Sequence, residues 1–227
     1  AFACGGKPAL GSRAMSKGTK AAVPTNIDDL IKIIVHLSAA KSRFVVAIAG
    51  PPGSGKSTLS NHLAKCLGPS AKVLPMDGFH LDNDRLQEMG LLPRKGAPET
   101  FDAMGLLELM RKMRDKKMFL YPTFDRQEDK TIPNSGGITE EDKIVLVEGN
   151  YLLLKGPPWS ELSQFFDLTV ALDVCFDTLQ SRLIARWVNH GLSEVDACAR
   201  ALGNDMVNVT CVLENSLTAD YKLRPNI

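Results

Sequence analysis

The sequence has no Cys-x-x-Cys pair, and its five cysteines, Cys4, Cys66, Cys175, Cys198 and Cys211, are odd in number and widely spaced. This excludes a zinc ribbon or a disulfide framework and points to a reducing compartment. The four histidines, His36, His62, His80 and His190, show no metal-ligand spacing. There is no run of about eighteen apolar residues, so no spanning helix and no membrane partner are expected. An excess of charge is missing too. Lys and Arg number 27 against 26 Asp and Glu, a net charge of +1, which gives no reason to expect nucleic acid as partner. No internal repeat is visible.

Acidic residues are absent before Asp28, while Lys7, Arg13, Lys17 and Lys20 stand among many Ala, Gly and Ser. Residues 1–25 therefore read as a flexible basic tail, either an expression remnant or the remainder of a targeting segment. The cytoplasm is the expected location, with chloroplast or mitochondrion the alternative if the tail is a targeting remainder. Residues 26–227 suffice for a single domain with its own core. Nothing in the sequence decides between monomer and homodimer.

Asn26 or Asp28 can cap a first helix carrying Leu30, Ile31 and Ile34. Phe44–Ala49 is a short apolar run of the kind that forms a parallel strand buried on both faces. Lys56–Leu67 has helical spacing and stops at Gly68-Pro69. Further strands are expected at 73–76, 144–147 and 168–172. Helices are expected at about 84–89, from Asp102 to about 116, and at 159–165, 175–189 and 193–217. Ile132-Pro133 and Gly136-Gly137 suggest a turn-rich hairpin. Alternating strands and helices predict an α/β fold, a three-layer sandwich on a mostly parallel sheet, with a substrate region at about 80–143 and a helical lid at about 176–200.

Gly50-Pro51-Pro52-Gly53-Ser54-Gly55-Lys56-Ser57 fits G-x-x-x-x-G-K-[ST] without a mismatch, between a predicted strand and a predicted helix. In such a loop successive N–H groups and the helix N-terminus face the phosphates of a nucleotide. Lys56 reaches the terminal phosphates, Ser57 places its hydroxyl on Mg²⁺, and Thr58 can help hold a phosphate oxygen. ATP and Mg²⁺ are the expected cofactors. An N-K-x-D guanine-reading motif is absent, which weighs against a GTPase switch.

Ligands of an open parallel sheet sit beyond the carboxyl ends of its strands. Asp77 and Glu148 stand at two such ends. One can take a proton from a substrate hydroxyl and the other can hold a metal, and spacing does not decide which. Arg94, Lys95 and Glu99 lie in a turn suited to an anionic or polyhydroxylated substrate, or form a solvated charge cluster. Tyr121 and Arg126 end another extended segment, where the tyrosine suits either a ligand ring or the core. His80 either lines the pocket or is structural. Arg182 and Arg186, four apart on one helix face, suit phosphate contacts from a closing lid.

The segments GPPGSGKST (50–58), MDGFH (76–80), RKGAPETFD (94–102), YPTFDR (121–126), VEGNYLL (147–153) and SRLIARW (181–187) together resemble the small P-loop kinases grouped with uridine kinase, phosphoribulokinase and bacterial-type pantothenate kinase. Within that group the pattern resembles the branch of nucleoside/nucleotide kinase family proteins described as fructose transport system kinases or as uridine kinases. The resemblance covers about residues 40–223. It implies that Asp77 acts as the catalytic base, that Glu148 organises magnesium, and that Arg94, Lys95 and Glu99 lie near the acceptor. It also implies that Arg182 and Arg186 engage the phosphates. The expected activity is transfer of the γ-phosphoryl of ATP to a hydroxyl of a small metabolite, a sugar or polyol or a nucleoside. A nucleoside monophosphate kinase, a pantothenate-like kinase and a non-catalytic nucleotide-binding module are the alternatives.

Overall fold

A computed structural model describes residues 21–115 and 118–224. Most of the basic tail expected over 1–25, up to residue 20, lies outside the described residues. In chain order the strands are β1 (Val23–Thr25), β2 (Phe44–Ala49), β3 (Ala71–Pro75), β4 (Phe119–Asp125), β5 (Lys130–Ile138), β6 (Ile144–Gly149), β7 (Leu168–Leu172) and β8 (Tyr221–Leu223). The α-helices are α1 (Ile27–Ser38), α2 (Lys56–Leu67), α3 (Asn83–Glu88), α4 (Ala103–Asp115), α5 (Phe176–Asn189), α6 (Glu194–Arg200) and α7 (Met206–Asn215).

Six strands form one parallel sheet in the order β1-β8-β7-β2-β6-β3. All of β2 and all of β6 are buried, as continuous apolar runs demand. Along β2 the side chains alternate. Phe44, Val46 and Ile48 join Leu30, Ile34, Leu59 and Leu63 of α1 and α2 on one face. Val45, Ala47 and Ala49 join Leu106, Leu107 and Met110 of α4 on the other. Register brings the strand ends level, with Glu148 of β6 opposite Ile48 of β2 and Pro75 of β3. The loop after β2, the turn after β3 and the carboxylate of β6 therefore meet at one edge. That is how residues about 70–90 positions apart in sequence come to share a site.

Helix boundaries follow local chemistry. The Asn26 side chain accepts from the Asp29 amide at the start of α1, and the Asp102 carboxylate accepts from the Gly105 amide at 2.8 Å at the start of α4. The segment Trp159–Phe165 is a 3-10 helix and not the expected α-helix. Its buried residues Trp159, Leu162 and Phe165 recur every third position, the spacing that a 3-10 turn aligns on one face. The single helix expected over 193–217 is divided into α6, a π-helical turn at Ala201–Asp205, and α7. The strands β1 and β8, three residues each, are too short to carry a period and were not expected.

The hairpin β4–β5 pairs Phe119 with Ile138 through to Asp125 with Lys130, so its turn is at 126–129. Gly136-Gly137 is not the turn but part of β5, and Gly136 gives room to the ring of Tyr121. The hairpin lies directly over the 3-10 turn Met76–Phe79, where Gly78 is buried against the backbone of Pro122 and a Cβ would overlap the Pro122 carbonyl. Because backbone cannot yield as a flexible side chain does, Gly78→Ala is expected to cost stability at the upper end of the range of about 1–3 kcal/mol for overpacking. A denaturant midpoint measurement checks this, and an unchanged midpoint contradicts the packing.

Candidate active site

The loop after β2 turns through Gly53 and Gly55 with φ of 77° and 90°, a left-handed conformation that side chains resist. Gly55 is the N-cap of α2, so the first helical amides open toward the loop. Lys56 is only 8% exposed, and its Nζ donates to the Pro51 carbonyl at 3.0 Å. Burial pushes the Lys56 ammonium down to about 8, against the opposing pull of Glu148 and Asp77. Glu148 is 5% exposed and accepts from the Ser57 hydroxyl at 3.0 Å. Burial raises its carboxyl above the ordinary range, with Lys56 acting the other way.

Asp77 sits in the 3-10 turn that follows β3, and its Oδ2 accepts from Arg126 Nη2 at 2.5 Å across from the hairpin turn. Next to it, His80 Nδ1–H donates to the Asp77 carbonyl at 2.8 Å, and the imidazole packs between Phe101 and Phe124, with centroids 4.0 and 4.5 Å away. Burial lowers the His80 pKa, which favours the neutral ring. A cavity of about 620 Å³ opens over these groups. Its walls contain Pro52, Gly53, Gly55, Lys56, Ser57 and Thr58 of the loop, with Asp77, Glu148 and His80 beyond. Lys95, Arg126 and the lid residue Arg186 complete the expected members. Gly50, Pro51 and Ser54 of the same loop are buried and do not line the cavity.

Four expected residues are placed elsewhere. Tyr121 is 4% exposed and its hydroxyl donates to the Val73 carbonyl at 3.1 Å, because alternation along β4 turns Phe119 and Tyr121 inward. Tyr121 is thus a core residue, not a ligand for a substrate ring. Tyr121→Phe is expected to cost about 1 kcal/mol of stability, the net worth of one hydrogen bond, with no change in KM for either substrate. Thermal unfolding alongside steady-state kinetics checks both parts. Arg94 turns away from the cavity to Asn204 Oδ1 at 2.7 Å and Asn208 Oδ1 at 3.4 Å. Glu99 stays outside the cavity, 3.9 Å from Arg94 Nε. Arg182 reaches the back of the phosphate loop, donating to the Gly53 carbonyl at 3.3 Å, and does not line the cavity.

Several wall residues were not expected. Asn150 follows the acidic end of β6 directly, within a motif already singled out. Trp187, Arg200 and Asn208 come from the lid and the helix after it. A π-helical turn separates Arg200 from Asn208 on that wall, and no sequence period marks such a turn.

A three-layer parallel sandwich with this phosphate loop and a helical lid defines the P-loop NTPase class. Within that class the chain belongs to the Phosphoribulokinase / Uridine kinase family, which matches residues 45–208. Relatives span nearly the whole chain. It is 34% identical over 214 residues to "Putative uridine kinase C227.14" of Schizosaccharomyces pombe, covering 88% of this chain and 91% of that one. It is 37% identical over 205 residues to the uncharacterized protein YggC of Escherichia coli, covering 86% and 85%. Among solved structures, the putative fructose transport system kinase from Silicibacter sp. TM1040 superposes with a TM-score of 0.83 at 42% identity, covering 88% of this chain and 98% of that chain. Family membership carries an ATP-dependent phosphotransferase role, nucleotide binding and a small-molecule substrate. Among the described residues no helix is long and apolar enough to cross a membrane.

Proposed function

We propose that the protein transfers the γ-phosphoryl of ATP to a hydroxyl of a small metabolite, a sugar or polyol or a nucleoside. The observation that carries this reading is the meeting of Lys56, Asp77 and Glu148 at the ends of three adjacent parallel strands, all in the wall of one cavity. The loop amides and Lys56 hold the β- and γ-phosphates. Arg186 lies in the lid wall and has no carboxylate partner among the described residues, so it is available to the phosphates as α5 closes. Asp77 orients the acceptor hydroxyl and takes its proton as the oxygen–phosphorus bond forms. The bond from the γ-phosphorus to the bridging oxygen breaks, and ADP leaves with that electron pair.

The residues present fit magnesium. The Ser57 hydroxyl and the buried Glu148 carboxylate lie 3.0 Å apart at the loop mouth, a pair of hard oxygen donors. They would hold the ion, which when bound neutralises charge on the phosphates. A phosphate acceptor, as in a nucleoside monophosphate kinase, needs no base. Arg94, one of the cations such a site would use, is also turned toward Asn204. These two points favour a hydroxyl acceptor.

The test is Mg²⁺-dependent ADP release across sugars, polyols, nucleosides, nucleoside monophosphates and pantothenate, with Asp77→Asn alongside. Acceptor-dependent release that vanishes in the variant supports the reading. ATP binding with no acceptor-dependent release would favour a nucleotide-binding regulatory module instead.

A further inference from the structure

Arg126 occupies an oxygen that the proposed reaction needs. Its Nη2 donates to Asp77 Oδ2 at 2.5 Å, so in the free protein the base is already engaged. Both residues line the cavity, and the Asp77 side chain keeps 25% exposure, within reach of water. The charge of Arg126 is also felt at Lys56 and at Glu148, so the guanidinium stands near the phosphate loop as well as on the base.

The contact is not the chance reach of a long side chain. Arg126 opens the turn of the hairpin, and that turn is fixed from several sides. Asp125 Oδ1 accepts from the amides of Gln127 and Glu128 at 2.9 and 3.1 Å. Asp129 takes the left-handed conformation, with φ of 50°, and its carboxylate accepts from Lys95 at 2.8 Å and from Asn83 at 3.0 Å. Lys95 donates again to the Asp129 carbonyl at 2.9 Å. Thr131 Oγ1 donates to the His80 carbonyl at 2.9 Å, three residues beyond Asp77. A backbone anchored at both ends of the turn presents Arg126 to Asp77 as part of the fold.

Water competes with any alcohol for the γ-phosphoryl group of ATP. An uncapped Asp77 beside bound ATP can take a proton from water as it can from an alcohol. The water oxygen would then bond to the γ-phosphorus, the bond to the bridging oxygen would break, and ADP and inorganic phosphate would leave. A cation already on Asp77 Oδ2 opposes this, because a nucleophile that gives its proton to that oxygen must first displace it.

We propose that Arg126 is a positioning residue that caps Asp77 until the acceptor arrives, and so suppresses hydrolysis of ATP by water. The acceptor displaces the guanidinium with binding energy from the rest of its contacts, which water lacks. Release of the base is thereby tied to occupancy of the site. This inference rests on the kinase reading in taking Asp77 as the base.

The experiment needs no acceptor. The full chain is given saturating ATP and Mg²⁺ alone, and release of inorganic phosphate is followed. The proteins compared are the wild type, Arg126→Gln, Arg126→Lys, and Arg126→Gln combined with Asp77→Asn. Arg126→Gln is expected to raise hydrolysis about fivefold, the most that a largely exposed ion pair is worth. Arg126→Lys keeps the cation and is expected to stay closer to the wild type. Adding Asp77→Asn to Arg126→Gln should erase the rise, an effect that a purely structural pair would not produce. The Arg126 side chain is 58% exposed, so the thermal midpoint should move little in either single variant. Hydrolysis that is unchanged in Arg126→Gln overturns the proposal, and so does a rise that survives Asp77→Asn. A fall in hydrolysis also overturns it and makes Arg126 a ligand of the phosphates. Failure of the kinase reading looks different, since the wild type would then show no acceptor-dependent ADP release with any compound of the panel.

Discussion

Replacing Asp77 by Asn is expected to lower kcat by about 10²- to 10⁴-fold, the range that positioned general-base catalysis contributes. ATP affinity should stay within about twofold, because the proposed reading gives the nucleotide to the loop, Lys56 and the lid and not to Asp77. Fold stability should change little. The ion pair that Asp77 makes with Arg126 has one partner 58% exposed, and exposed pairs contribute at most about 1 kcal/mol. Steady-state ADP release, ATP titration and thermal unfolding on the same preparation separate these three effects. The alternative base, Glu148, is committed to Ser57 at the loop mouth and is nearly buried, so it cannot take over without leaving the phosphate side. Turnover that persists in Asp77→Asn would remove the base role from this residue and leave it a partner for Arg126. A loss of ATP binding equal to the loss of turnover would instead make Asp77 a nucleotide-site residue.

The parts of the fold legible in the sequence are those where one physical constraint acts alone. A strand buried on both faces must be apolar throughout, so Phe44–Ala49 and Ile144–Val147 stand out. The phosphate loop needs glycine at fixed places and flanks of fixed type, so its register and the exact span of α2 follow from residues. Acidic strand ends follow from the topology of a parallel sheet. Where two constraints compete, the reading breaks down. Tyr121 satisfies equally the composition of a ligand platform and that of a half-buried strand, and only the pairing of β4 with β5 turns it inward. Gly136-Gly137 carries the composition of a turn, yet the ring of Tyr121 requires the space.

Arg94 is the instructive case at the site. Its neighbours Lys95 and Gly96 line the cavity, and in the sequence Arg94, Lys95 and Glu99 read as one substrate-facing turn. Its guanidinium is instead taken by Asn204 and Asn208, four apart across the π-helical turn, and Asn204 also donates to the Lys95 carbonyl at 2.9 Å. Tyr151 donates to the Gly96 carbonyl at 2.5 Å from beneath. Residues 94–96 are thereby tied to the lid end and to β6 at once. Arg94 thus supports the Asn208 amide, which lines the cavity, without lining the cavity itself. Such indirect roles depend on a shift of helical phase at 201–205 that leaves no periodic trace in the sequence.

Lys56 carries the second large effect, and its sign differs between stability and activity. The folded protein holds its ammonium at about 8 against an ordinary 10.5, chiefly through burial. Between these values the unfolded chain keeps the proton that the folded protein gives up. The stability contribution of this group therefore rises with pH across that window. Below pH 8 the buried charge costs about 3 kcal/mol. Lys56→Met removes that cost and leaves the Pro51 carbonyl without its donor, a loss of about 1–2 kcal/mol. The variant is thus expected to be more stable than the wild type at pH 7 by about 1–2 kcal/mol, with the gain fading toward pH 10. Its kcat/KM for ATP should nevertheless fall by about 10²- to 10³-fold, since a donor aimed at developing charge is gone. In the proposed reading the phosphates of ATP add negative charge beside Lys56, so nucleotide binding at pH 9 should take up close to one proton at Lys56 and binding at pH 7 almost none. Calorimetry in two buffers of different ionisation enthalpy reads that uptake directly, and Lys56→Met should abolish it. A variant that loses stability at pH 7, or an uptake at pH 9 that survives in it, would mean that Lys56 is already paired and charged in the free protein. Its role would then be to hold the loop, with the phosphates gripped by the backbone amides and Arg186 alone.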